Sequence, residues 1–550
     1  MFVHNPKFKA LLVFLLIIAA TLLGGCGRQT AETGQAPAPS EQPKRQLQPL
    51  PEKTVEIAGV RVTTGGGSVR GGVIDLARFA VPGGTFYYTQ ATLTSPDGRW
   101  ITFHATQDNR TPGLWVMSLD GSDGRLLARV GERGHEAGTL FLELLGWTED
   151  NRVVFIRQGT QPDGPHKGER GISLRAAHPA GGEPQEVCWL PVPRGIVHQV
   201  KFLPEKGGVF VHISGALWRM DIANGLLTLI KDKLPTYDGL FIPRLSPDGG
   251  YYVYELHEPG KKGIYRLSTQ TGEETPLAPN GATWNFFPRI SPDGNHIAYY
   301  AAPLKPGRSG PGADDYDLIP MEDGPAPVAA GVDIVSAGGR KVAHLQVPGA
   351  KIGDIRWSAD GSRLALVAGI IKGDNNSPGA DQPAIEWQSI WVADLSGNLK
   401  KLTDLLPETA GRIHRYAGID GYVTILSLSP DGRQAYYLHM KEKSSLWLAR
   451  EGKAPVELKP GARGWEYSDS TPIFGEDLFL CQRGSDGEQE IFRIHGPRVV
   501  QVTADGGMKS NLRVEGSRIL YLREDKQANR NQLAVLSIGA AGHAPVYGHY

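Results

Sequence analysis

SPDGNHIAYY (residues 291–300) is the stretch that decides the fold. Proline presets φ for the first central position of a tight turn, and Asp and Gly suit the positions after it. The four-residue turn is followed at once by Ile297-Ala298-Tyr299-Tyr300, an apolar run of strand length and composition. An apolar stretch also precedes it, so the segment reads as strand, turn, strand. The tetrapeptide recurs at 95–98, 246–249 and 429–432, and Ser358-Ala359-Asp360-Gly361 is a variant. Each copy is trailed by a similar run: Trp100-Ile101-Thr102-Phe103, Tyr251-Tyr252-Val253-Tyr254, Leu364-Ala365-Leu366-Val367 and Ala435-Tyr436-Tyr437-Leu438.

A third strand follows each hairpin after a loop of variable length, with an aliphatic-aromatic signature: Leu114-Trp115, Leu217-Trp218, Ile264-Tyr265, Ile390-Trp391, Leu446-Trp447 and Ile491-Phe492. Short fourth strands close the units, as at Leu399-Lys400-Lys401-Leu402-Thr403. Degenerate turns at 147–151, 203–207, 474–477 and 514–517 fill the gaps. Nine candidate units result, from about residue 86 to 538. Four-stranded units at this period predict an all-β fold, a β-propeller, because one such sheet cannot bury both its faces until its neighbours cover them. A single propeller of about eight blades is expected, with seven to nine allowed. An N-terminal strand such as Thr54–Val62 is expected to complete the last blade. Two smaller propellers are the alternative.

The repeats resemble those of the TolB family, also called WD40-like β-propeller repeats: apolar-Ser-Pro-Asp-Gly, a strand, then Ile/Leu-Trp/Tyr. The resemblance covers most of the chain beyond residue 53. It implies a propeller and an exported location. It transfers no catalytic residue, since the motif residues build turns, and Asp97, Asp248, Asp293, Asp360 and Asp431 are each expected to cap their own.

The N-terminus agrees with export. Lys7 and Lys9 precede an apolar run from Ala10 to Leu23, shorter than the about 20 residues that span a bilayer. It ends in Leu23-Gly24-Gly25-Cys26, which resembles the bacterial lipobox. The resemblance implies cleavage after residue 25 and lipid on the Cys26 thiol, which buries methylenes worth ~0.8 kcal/mol each. Residues 26–52, rich in Gln, Pro, Ala and Glu, read as a tether without a core of their own. The propeller is then expected over 53–540, with a tail at 541–550. The expected location is extracytoplasmic, lipid-anchored to a cell membrane.

The 58 basic residues balance the 58 acidic ones, which leaves no excess of positive charge for nucleic acid. Apart from Cys26 the only cysteines are Cys188 and Cys481, each in an apolar stretch, and buried free thiols are the preferred reading over a disulfide. No Gly-x-Ser-x-Gly, phosphate loop, dinucleotide fingerprint, His-x-x-x-His or Cys-x-x-Cys occurs. No cofactor, metal or catalytic set is assigned, and the innermost strands are read as mostly apolar or turn-like.

Loop length points to one face. The Ser-Pro-Asp-Gly turns are short, whereas long insertions at 158–171, 301–331, 368–389 and 404–422 fall on the opposite side. Asp314, Asp315, Tyr316 and Asp317, followed by Trp387 and by His414, Arg415 and Tyr416, form the candidate binding patch, since aromatics and Arg dominate interface energetics. The expected function is a non-enzymatic binding or scaffold module for an envelope protein, peptide or glycan. A carbohydrate-active propeller enzyme and a small-ligand or Ca²⁺ sensor using the acidic loops are the alternatives.

Overall fold

A computed structural model describes residues 51–538, apart from several segments of which the longest are 130–138, 235–243, 304–317 and 373–383. The described chain is all-β and forms nine antiparallel blades in sequence order. Blade 1 is built on Trp100–Gln107, Thr111–Ser118 and Gly124–Arg129. Blades 2 to 8 span 139–191, 197–231, 244–279, 283–345, 351–404, 423–457 and 465–501. Blade 9 holds Met508–Glu515, Arg518–Asp525 and Arg530–Ile538. The count is at the upper end of the expected range, because each degenerate turn belongs to a complete sheet.

The ring closes through the N-terminus. Val73–Ala80 adds to the outer edge of blade 9, pairing Val73 with Ile538 and Phe79 with Leu533. Val60–Thr64 and Lys53–Ile57 follow outward. The expected closing strand Thr54–Val62 is thus a hairpin instead. Ala58 and Gly59 adopt φ of 52° and 76°, the left-handed pair of a two-residue turn, which folds that stretch back on itself and leaves closure to the next strand.

Burial explains the apolar runs after the turns. In blade 6, Leu364, Leu366 and Ala368 pack toward blade 5, while Ala365 and Val367 pack toward blade 7. A strand covered on both faces reads as a continuous hydrophobic run. The same division repeats at every junction, so the core is a set of clusters between blades rather than one central mass. Cys188 and Cys481 are buried, outside any disulfide, in two different clusters. Among the described residues no helix is long and apolar enough to cross a membrane.

The turn motif is wired alike in each copy. Ser291 Oγ donates to Asp293 Oδ1 and accepts the His296 N–H at 2.9 Å, while Asp293 Oδ1 accepts the Asn295 N–H at 3.1 Å. Gly294 supplies φ of 72°. Burial alone would raise the five turn carboxyls. The serine hydroxyl and the backbone N–H outweigh it and hold Asp97, Asp248, Asp293 and Asp360 below the usual range. For Asp431 the Ser429 hydroxyl is the largest influence. The degenerate Thr148-Glu149-Asp150-Asn151 uses the same wiring, with Asn151 at φ of 61° in place of Gly.

Candidate functional site at the axis

The first strands touch one another at the 2–3 and 6–7 junctions, and in the propeller ring the first strand of each blade is the one that lines the axis. Each ends in its turn, and one register position recurs. Lys201 pairs with Phe210, Arg244 with Val253, Arg289 with Ala298, Arg356 with Ala365 and Arg513 with Leu520. In blades 4, 5 and 6 this position lies two residues ahead of the turn serine, Ser246, Ser291 or Ser358. Four consecutive blades, 3 to 6, therefore carry a cation at the same height near the short-turn mouth of the axis.

Two of these guanidinium groups are tied to the next blade. Arg356 donates through Nε and Nη2 to the Leu426 carbonyl at 3.1 and 2.9 Å, and Asp354 Oδ2 accepts the Ile425 N–H at 2.8 Å. Across the closing junction Arg513 donates to the Ala91 carbonyl at 2.7 Å. Glu515 accepts the Leu93 N–H at 2.9 Å and the Thr94 N–H at 2.8 Å. The two clamps share one design, a carboxylate and a guanidinium two residues apart that grip nearby backbone groups of the next blade.

The others are not clamped. Among the described residues no carboxylate lies within ion-pair distance of Lys201, Arg244 or Arg289. Removal from water and the neighbouring Arg289 charge hold Arg244 down to about 10. Burial also holds Lys201 below its usual value. On the first strand of blade 2, burial pushes the Glu143 carboxyl up to about 7, and it too has no ion-pair partner among the described residues. Asp354 is pushed up by burial against the pull of the Ile425 N–H and of the Arg356 and Arg289 charges. Beside Arg289, Phe287 is 44% exposed in a register shift of the strand, at φ of 49°, its N–H donated to Glu255 Oε1 of blade 4 at 2.5 Å.

The residues expected to form the patch on the long-loop face fare differently. Trp387 is 4% exposed, a core residue of the blade 6–7 junction whose ring lies over Gly353 and Gly369. It offers no surface to a partner, because the strands around it run on to Arg363–Lys372 and Ala384–Asp394 where a loop over 368–389 was expected. His414 ends a short strand, Ala410–His414, that extends the blade 6 sheet. Asp314, Asp315, Tyr316, Asp317, Arg415 and Tyr416 lie outside the described residues. Among the described residues no three His, Cys, Asp or Glu side chains gather as a metal-sized group.

No family profile and no curated protein matches the chain. Solved structures resemble it at low identity. A putative dipeptidyl aminopeptidase IV from Bacteroides ovatus is 13% identical, covering 76% of this chain and 61% of that one, with a TM-score of 0.42. Dipeptidyl peptidase 4 of Porphyromonas gingivalis is 11% identical, covering 78% and 55%, with a TM-score of 0.38. An oligogalacturonate lyase from Vibrio parahaemolyticus is 11% identical, covering 83% and 98%, with a TM-score of 0.31. The chain thus spans 55% and 61% of the length of the two peptidases. The expectation of a non-enzymatic scaffold finds no counterpart here: the solved structures that resemble the chain are, by their names, peptidases and a lyase. The premise behind it also fails, because the innermost strands hold Glu143, Lys201, Arg244, Arg289 and Asp354 where apolar or turn-like residues were expected. What the chain shares with them is the architecture, and by it the protein is a nine-bladed β-propeller.

Proposed function

We propose that this chain is an extracytoplasmic enzyme, or the propeller of one, that acts on an anionic substrate at the short-turn mouth of its axis. The observation that carries the reading is the run of ionisable side chains on the first strands of blades 2 to 6, of which Glu143, Lys201, Arg244 and Arg289 have no ion-pair partner among the described residues. Unclamped cations at one height suit the holding of carboxylates or phosphates. A carboxyl that titrates near neutrality suits proton transfer at physiological pH. Glu143 is accordingly the proton-transferring group, and Lys201, Arg244 and Arg289 hold the substrate's negative charge.

In the same reading the chain is a TolB-type lipoprotein, anchored by lipid on Cys26 through the tether 26–52. Cys26→Ser is expected to move the protein from the membrane to the soluble fraction, and mass spectrometry of the mature N-terminus should find a diacylglyceryl thioether. Turnover is tested on a panel of acidic and neutral oligosaccharides and of peptides. Acidic members should be processed, Glu143→Gln should lose at least 100-fold in kcat, and Arg289→Ala should raise KM. Equal turnover by Glu143→Gln would remove the assignment.

A further inference from the structure

Four described non-glycine residues have positive φ: Ala58, Asn151, Phe287 and Asn511. Two of them occupy related register shifts on inner strands, Phe287 in blade 5 and Asn511 in blade 9. Asparagine enters the left-handed region readily, and a bulky aromatic does not. The shift itself therefore asks only for a residue like Asn, and the fold does not require phenylalanine there. Nor does the side chain serve as core, since it is 44% exposed. Its ring lies 5.3 Å from Phe286 and 6.4 Å, edge-on, from Tyr300, so it is a supported aromatic surface rather than a loose one. Backbone strain retained where the fold does not ask for it is a mark of function.

The charges beside it supply the rest. Arg289 is two residues away on the same strand, and Arg244 of the preceding blade is near enough for the two guanidinium groups to repel. Two cations kept together, with no carboxylate within ion-pair distance of either among the described residues, leave room for one from outside. We infer that Phe287, Arg244 and Arg289 form one subsite for a six-membered ring bearing a carboxylate, an acidic sugar residue. The apolar face of the ring lies on Phe287 and its carboxylate lies between the guanidinium groups. An acidic peptide offers carboxylates but no such ring, so it is the competitor that the test must separate. The inference rests on the axial reading above for its location and not for the reaction.

The experiment is calorimetric binding to the full chain carrying Glu143→Gln, with trigalacturonate, its methyl ester and hexaglutamate as probes. Trigalacturonate should bind, with the ester and hexaglutamate each at least tenfold weaker. Arg244→Ala and Arg289→Ala should each cost about tenfold. Phe287→Gly keeps the fold, because glycine takes the left-handed backbone freely, and should weaken binding at least fivefold, while Phe287→Tyr restores it. No binding of trigalacturonate, equal binding of its ester or of hexaglutamate, or an unchanged affinity in Phe287→Gly overturns the inference. Turnover of another acidic substrate with no dependence on Phe287 sinks this subsite and leaves the enzyme reading standing. Ring-selective binding with no turnover on any panel member does the reverse.

Discussion

Blades 3 to 5 and the junctions 6–7 and 9–1 use the same register position in opposite ways. At the two junctions Arg356 and Arg513 are spent on carbonyls of the next blade, each beside a carboxylate that takes a backbone N–H. In blades 3 to 5 the cation has no carboxylate within ion-pair distance among the described residues, and in blades 4 and 5 two of them are held against their mutual repulsion. The first arrangement is what ring assembly asks for, since buried polar groups at a seam must be paired. The second costs stability and does nothing for the seam. Position alone does not separate a structural charge from a functional one; what it grips does.

The comparison breaks most sharply at the clamps. Glu515→Ala takes the acceptor from the Leu93 and Thr94 amides and the carboxylate from beside Arg513 at a half-buried seam, and should destabilise the protein by about 3 kcal/mol. A calorimetric scan showing an unchanged melting temperature would dissolve the distinction between the two groups. A second effect is read in pH. The Glu143 carboxyl rises to about 7 in the folded chain from 4.5. Below about pH 4.5 both states are protonated and nothing is lost. Between that value and about 7 the unfolded chain ionises first, so stability falls as pH rises, and above 7 the whole penalty is present. Glu143→Gln should therefore raise the melting temperature by a few degrees at pH 8 and very little at pH 4.

Smaller effects sharpen the contrast further. Ser291 is fully buried, and Ser291→Ala removes a hydroxyl that serves both Asp293 and the His296 N–H. The expected cost is about 1–2 kcal/mol, measured by denaturant unfolding. The smallest change belongs to the unclamped arc. Arg244→Ala should shift stability by less than about 0.5 kcal/mol, and toward a gain at low salt, where relief from the Arg289 charge is least screened.

How much of this was legible from the residues differs between fold and site. The turns, the hairpins and the nine units were readable because Pro, Asp and Gly have strong local backbone preferences and because strands buried on both faces leave unbroken apolar runs. The closing strand was not, since Val73–Ala80 earns its place only by meeting Leu533–Ile538 across the whole chain. The axial cations were hidden in plain view: Arg244, Arg289 and Arg356 each stand two residues before a turn serine, but only the shared register shows that they are one ring position. Trp387 misled because an aromatic in a Pro- and Gly-rich stretch looks exposed, whereas two glycines make the flat bed on which its ring packs. Glu143 carries no local signal at all; its proton affinity comes from the blades around it.

The way the ring closes has a consequence for synthesis. The strand that closes blade 9, Val73–Ala80, is made early and its partner Arg530–Ile538 last, so the N-terminal segment waits while more than four hundred residues emerge. During that wait its apolar side chains, Val73 on one face and Ala77 and Phe79 on the other, have no lasting cover. A chain released before blade 9 is complete would present that strand and the open side of blade 1 together, two sticky edges of one unfinished circle. Such fragments are expected to associate end to end, which makes the last thirty residues of the propeller a checkpoint that separates a closed monomer from a filament.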